Sequence, residues 1–135
     1  MTVDAQSAWA QGARLFEAGA YWECHEALEP LWLEAKGKAR AARQAGKDLA
    51  GELDEHFYGG IILLAAALHK ARQMASPRGG RRNYAKALAH LALVPDNYRG
   101  VRVRELEARV HAALRDASLR PAIPYVSEGE FCGTT

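Results

Sequence analysis

A chain of 135 residues, 49% hydrophobic, has enough apolar side chains for one core and too little length for a second domain. Its longest uncharged stretch, Phe57 to Leu68, is 12 residues, short of the ~20 that a membrane-spanning helix needs. The net charge of +2 conceals an asymmetry: residues 1–35 hold six acids against one base, so the remaining 100 residues carry an excess of seven positive charges.

Periodicity is helical almost throughout, and no stretch alternates apolar and polar residues long enough to predict a strand. The first helix is expected from about Asp4 to Ala18, with Trp9, Ala13 and Phe16 on one stripe and Gly19 as a left-handed stop. The second starts near Tyr21 and ends at about Lys36-Gly37, where Tyr21, Cys24, Leu28, Leu31 and Ala35 recur at three- and four-residue steps and face the core. Pro30 inside it removes a backbone hydrogen bond and pushes on the carbonyl of Glu26, so a kink or break is expected there. Residues 36–47, with five bases and no acid, read as a mobile connection or a short exposed helix.

A third helix, from near Asp48 to about Met74, is apolar on all sides between Phe57 and Leu68, the pattern of a helix enclosed by others. Gly59 and Gly60 cost it roughly 1 kcal/mol each relative to Ala, which close approach by a neighbouring helix would offset. Ser76 to Gly80 reads as a loop, and Tyr84, Leu88 and Leu91 mark a fourth helix ended by Pro95. Leu106, Val110 and Leu114 mark a fifth from about Val103 to Ala117, after which Ile123, Pro124 and Tyr125 lie against the bundle. The expected architecture is all-α: a compact bundle of about five helices around a central apolar one, with residues 1–126 as a single domain and 127–135 as a flexible tail. No repeat of ~34 residues is sustained.

On the second helix, His25 and Glu29 are one turn apart at the margin of the apolar stripe, with Trp22, Glu26 and Trp32 nearby. A half-buried imidazole and carboxylate need partners, and His69 on the third helix is the natural one, with Tyr58 a candidate donor to the same network. One reading is a structural lock holding two helices in register. The other is a divalent transition-metal site of His25, Glu29 and His69 with Glu26 as general base. The run is His-Glu-x-x-Glu, not the His-Glu-x-x-His of zinc peptidases. His56 and His90 carry no pattern, and His111 falls on a solvated face.

Cys24 and Cys132 are too far apart in sequence for a Cys-x-x-Cys pair, so neither a disulfide framework nor a cysteine zinc site is expected. The polar N-terminus lacks a basic-then-apolar leader, which gives a cytoplasmic expectation. Lys70, Arg72, Arg78, Arg81, Arg82 and Lys86 come with no acid among them. Without interleaved aromatics, such a run is a poor candidate for nucleic acid and could equally meet the acidic N-terminal third of its own or a second chain.

The spacing Phe16, Gly19, Tyr21, His25-Glu26, Glu29, Trp32 resembles that of domain-of-unknown-function family 309. A second likeness is Gly59-Gly60-Ile61-Ile62 leading to Ala65-Ala66-Ala67-Leu68-His69, with Gly59 where the family has Gln. Weaker ones are Asn83 to Leu88 and the turn Tyr98-Arg99-Gly100-Val101. Together they cover about residues 9–125, and Lys36 to Leu53 looks longer than usual for the family. The resemblance implies helices surrounding a central helix, and no activity.

With no nucleophile-base pair, phosphate-cradling loop or dinucleotide fingerprint, the preferred expectation is a non-enzymatic module that binds protein, including a second copy of itself as a dimer. The alternative is a metal-dependent or acid-base enzyme on a small substrate, using His25, Glu26, Glu29 and His69.

Overall fold

The third helix, α3 (Ala50–Arg72), organises the molecule. In this computed structural model, which describes residues 4–46 and 50–126, α3 lies between α2 (Tyr21–Gln44) and α4 (Pro77–Leu91) and packs along both. The expected tail at 127–135 lies outside the described residues. One stripe of α3, Phe57, Ile61, Leu64 and Leu68, is wholly buried. α1 (Ala5–Glu17) reaches it through Trp9, whose ring centroid lies 5.6 Å from that of Phe57, and α5 (Val103–Arg115) packs on α3 with Leu106 and Val110 buried.

Local signals explain most boundaries. Asp4 caps α1 by accepting from Ser7 N–H at 3.2 Å, and Gly19, at φ +81°, ends it in the left-handed conformation that glycine adopts without strain. Gly12 lets α2 approach, since a β-carbon there would lie 2.7 Å from Leu28 Cγ. At Gly60 the approaching helix is α4, with Leu91 Cγ 2.5 Å from where a β-carbon would stand.

Three segments differ from expectation. Residues 36–44 are neither a connection nor a separate helix, because α2 runs on to Gln44. Ala35 and Ala39 are buried there against Gly51, whose absent side chain admits the two backbones. Of the kink or break expected at Pro30, the break does not occur, since α2 is continuous through it. The proline sits on an exposed face, where water can satisfy the carbonyl its ring deprives of a donor. Ser76 to Gly80 is not a loop but the start of α4. Ser76 accepts from Gly79 N–H at 3.1 Å, and Pro77 occupies the first helical position, where its missing N–H costs nothing.

Between α4 and α5 a short hairpin pairs β1 (Asn97–Tyr98) with β2 (Val101–Arg102), an element the alternation test does not detect. Arg99 and Gly100, at φ +51° and +79°, form its two-residue turn, both in the left-handed region that the twist of a tight hairpin demands. Asp54 of α3 holds it: Tyr98 donates its hydroxyl at 2.6 Å, and Arg99 donates through Nε and Nη2 at 2.8 Å each. The chain then returns to α1, where Ile123 N–H donates to Glu17 at 3.1 Å and Trp9 Nε1 donates to the Tyr125 hydroxyl at 3.2 Å.

At the other end of α3, Arg72 donates to the Tyr21 hydroxyl at 3.2 Å and to the carbonyls of Ala113 at 3.0 Å, Asp116 at 3.2 Å and Leu119. One guanidinium thereby ties α2, α3 and the end of α5. None of the described helices is long and apolar enough to cross a membrane.

Candidate functional site

The strip of α2 that faces away from α1 carries Trp22, His25, Glu29 and Trp32, because steps of three and four return to one side of a helix. The core positions Cys24, Leu28 and Leu31 fix that orientation. Opposite the buried stripe of α3 lie Gly59, Leu63 and Ala66, with Ile62 beside them. The two strips and His90 of α4 enclose an open cleft of about 230 Å³, lined by His25, Glu29, Trp32, Gly59, Ile62, Leu63 and His90. Its floor is apolar and its rim polar.

Gly59 shapes that floor. A β-carbon there would lie 3.1 Å from Trp32 Nε1 and 3.3 Å from its Cδ1, so the indole rests directly on the backbone of α3. The glutamine expected at this position would have to displace it. Lys36 sits over the outer face of the same indole, its Nζ 4.7 Å from the ring centroid, a cation–π contact at the rim.

His25 stacks on Trp22, with ring centroids 5.1 Å apart and 7° between planes. Its Nδ1 is buried and has no hydrogen-bond partner. His69 meets the same indole at 5.5 Å, tilted by 39°, and its Nδ1 is hydrogen-bonded to Gln73 Oε1. Indole packing, rather than a shared hydrogen bond, therefore joins the two histidines. Among the described residues no three His, Cys, Asp or Glu side chains are grouped so as to hold a metal ion, so His25, Glu29 and His69 are not assembled as a ligand set.

Glu29 lies on the cleft rim, whereas Glu26 is exposed and does not line the cleft. Tyr58 belongs elsewhere. One residue before Gly59, it points about 100° around α3, to a separate opening lined by Trp9, Phe57 and Arg99. Burial, the largest influence, raises its phenol pKa. The Cys24 thiol is fully buried and pushed up to about 12 by desolvation, which makes it an inert core group.

What the sequence does not single out is the pair His56 and His90. Their Nδ1 atoms lie 2.9 Å apart across the α3–α4 contact, with ring centroids 5.2 Å apart. Burial, followed by the neighbouring His56, lowers the pKa of His90 and favours the neutral ring. Both residues lie outside the patterned run on α2, and only the packing of α4 on α3 brings them together. For Leu63 and Ile62 a signal does exist, since a helical projection puts them off the Phe57-Ile61-Leu64-Leu68 stripe.

Comparison with known proteins agrees with the architecture. A conserved hypothetical protein from Thermus thermophilus, known from its crystal structure, superposes with a TM-score of 0.61 at 35% identity, covering 85% of this chain and 99% of that one. An uncharacterized protein of Aquifex aeolicus is 29% identical over 111 residues, 82% of this chain. The match takes in 27% of that relative, so the present chain corresponds to about a quarter of a longer protein. The family model described as "Domain of unknown function (DUF309)" matches residues 9–83, which hold α2, α3, most of α1 and the start of α4. With more than half its length so matched, the chain belongs to the domain-of-unknown-function family 309.

Proposed function

We propose that this protein is a non-enzymatic interaction module that pairs with a second copy of itself through the face formed by α2, α3 and α4. The observation that carries the reading is the apolar floor of the cleft. Ile62 and Leu63 of the central helix line it beside Gly59, Leu63 only half-buried, and Trp22 on the same strip of α2 as His25 is 49% exposed. Water-facing aromatic and aliphatic surface of this kind is the usual core of an interface.

The rims support a self-complementary contact. Glu26 and Glu29 lie on α2, while α4 carries Arg78, Arg81, Arg82 and Lys86 and no acid. In a two-fold pair each α2 can cross the partner's α4, so every acid–base contact occurs twice. A standard interface takes roughly 800 Å² from each partner, about a tenth of the 7888 Å² this chain exposes.

Sedimentation velocity over a wide concentration range tests the proposal. A reversible dimer is expected, weakened by added salt through the charged rims and converted to monomer by Leu63→Glu or Trp22→Ala with the helical signal unchanged. A wild-type protein that stays monomeric at every concentration refutes it.

A further inference from the structure

We propose that His56 and His90 form a binding site for a divalent transition-metal ion at the α3–α4 contact, with water completing the coordination and Glu52 and Glu55 as carboxylates around it. His90 also lines the cleft that holds His25 and Glu29, but neither of those two residues is a ligand here, and the binding does not require self-association.

The geometry comes first. Two imidazole nitrogens from different helices lie 2.9 Å apart. If each bonds a metal at the usual ~2.05 Å, that separation corresponds to an N–metal–N angle of about 90°, the cis angle of octahedral or tetragonal coordination. Opening the pair by a few tenths of an ångström gives the tetrahedral angle that zinc prefers.

Access and charge fit as well. His56 lines an open recess of about 260 Å³ with Glu52, Leu53 and Leu93, which gives an ion a route in and room for water ligands. Glu52 stands one turn before His56 on the same side of α3, and the charge of Glu55 is felt at His90. Two carboxylates therefore offset the ion's charge without ligating it. The 2.9 Å contact lets one Nδ1–H donate to the other Nδ1, the donor being set by the tautomer. Ligation needs both Nδ1 atoms free of protons, so the ring that carries its proton on Nδ1 shifts it to Nε2 on binding. Imidazole ligands select nickel, copper and zinc over magnesium or calcium.

The test is calorimetric titration of the tag-free protein with nickel(II) chloride and zinc(II) chloride, with copper(II) followed by EPR for nitrogen hyperfine structure. One ion per chain is expected. Loss of an outer-sphere partner costs a metal site roughly 10–100-fold, so loss of a direct ligand in His56→Ala or His90→Ala should weaken binding by at least tenfold, and the double variant should abolish it. His25→Ala and His111→Ala should bind as the wild type does. Should the alanine variants unfold, His56→Gln and His90→Gln, checked by circular dichroism, give the same comparison, and nickel should raise the melting temperature of the wild type alone. Absence of stoichiometric binding, binding unchanged in both His56 and His90 variants, or binding lost in His25→Ala instead overturns the proposal.

Discussion

Replacing Asp54 by alanine removes the anchor of the β1–β2 hairpin. The Tyr98 bond, at 2.6 Å, is a half-buried hydrogen bond to a charged acceptor, a class worth about 1.5–3 kcal/mol. The Arg99 pair is more exposed, its guanidinium side 51% accessible, and contributes about 0.2–1 kcal/mol. The expected loss is therefore about 2–4 kcal/mol, or roughly 6–15 °C in melting temperature for a domain of this length. Thermal melts of Asp54→Ala, Tyr98→Phe and the double variant separate the two contributions, and Tyr98→Phe should account for the larger share.

The same cluster sets pH limits. Burial is the largest influence on Asp54 and raises its pKa, but hydrogen bonds from Arg99 and Tyr98 outweigh it, and the carboxyl ends below its ordinary value. The folded state thus favours the ionised form. That stabilisation is complete above the unfolded pKa of about 3.9, and it fades as pH falls through the lower folded value. Tyr98 behaves oppositely. Burial and then Asp54 push its phenol up to about 12, so its contribution is whole below pH ~10 and disappears as pH rises toward 12. Asp54→Ala should flatten the acid limb. A variant that melts within a degree or two of the wild type, with an unchanged acid limb, refutes the reasoning.

Two further substitutions probe the packing. Gly60→Ala should destabilise by up to about 2 kcal/mol in urea titration, because crowding against the fully buried Leu91 costs about 1–3 kcal/mol against a helix gain of about 1 kcal/mol. Gly59→Ala meets only the edge of the half-buried Trp32, which can tilt, and should be near neutral; equal effects at the two glycines would count against this account. Arg72→Lys should cost about 1.5–3 kcal/mol in the same titration, since an ammonium cannot span Tyr21 and the α5 carbonyls as the fork does, and wild-type stability would remove Arg72 from that role.

Much of this fold was legible because large apolar residues announce their faces. Phe16 on α1, Phe57 and Leu64 on α3, and Leu106 and Val110 on α5 all recur at helical steps and are fully buried. The extension of α2 was not, because the residues that bury it are Ala35 and Ala39, whose packing depends on Gly51 of another helix rather than on their own hydrophobicity. Ser76 was masked by the Pro and Gly residues after it, although Ser followed by Pro is also a cap followed by a first helical position. The site divides similarly. His25, Glu29 and Trp32 share one helix, and their spacing places them on one rim. His56 and His90 are 34 residues apart on different helices, and Tyr58 faces away from the cleft although Gly59 lines it.

The return of the chain to α1 bears on the order in which the molecule assembles. α2, α3 and α4 follow one another with short connections, so each finds its neighbour at little loop-closure cost. The bonds from Ile123 to Glu17 and from Tyr125 to Trp9 span 106 and 116 positions and must close almost the whole chain. Such distant contacts gain little until the three middle helices have already shortened the path between the ends. The terminal seam is thus expected to form last and to open first, with α2–α4, which carry the cleft, as the more persistent unit.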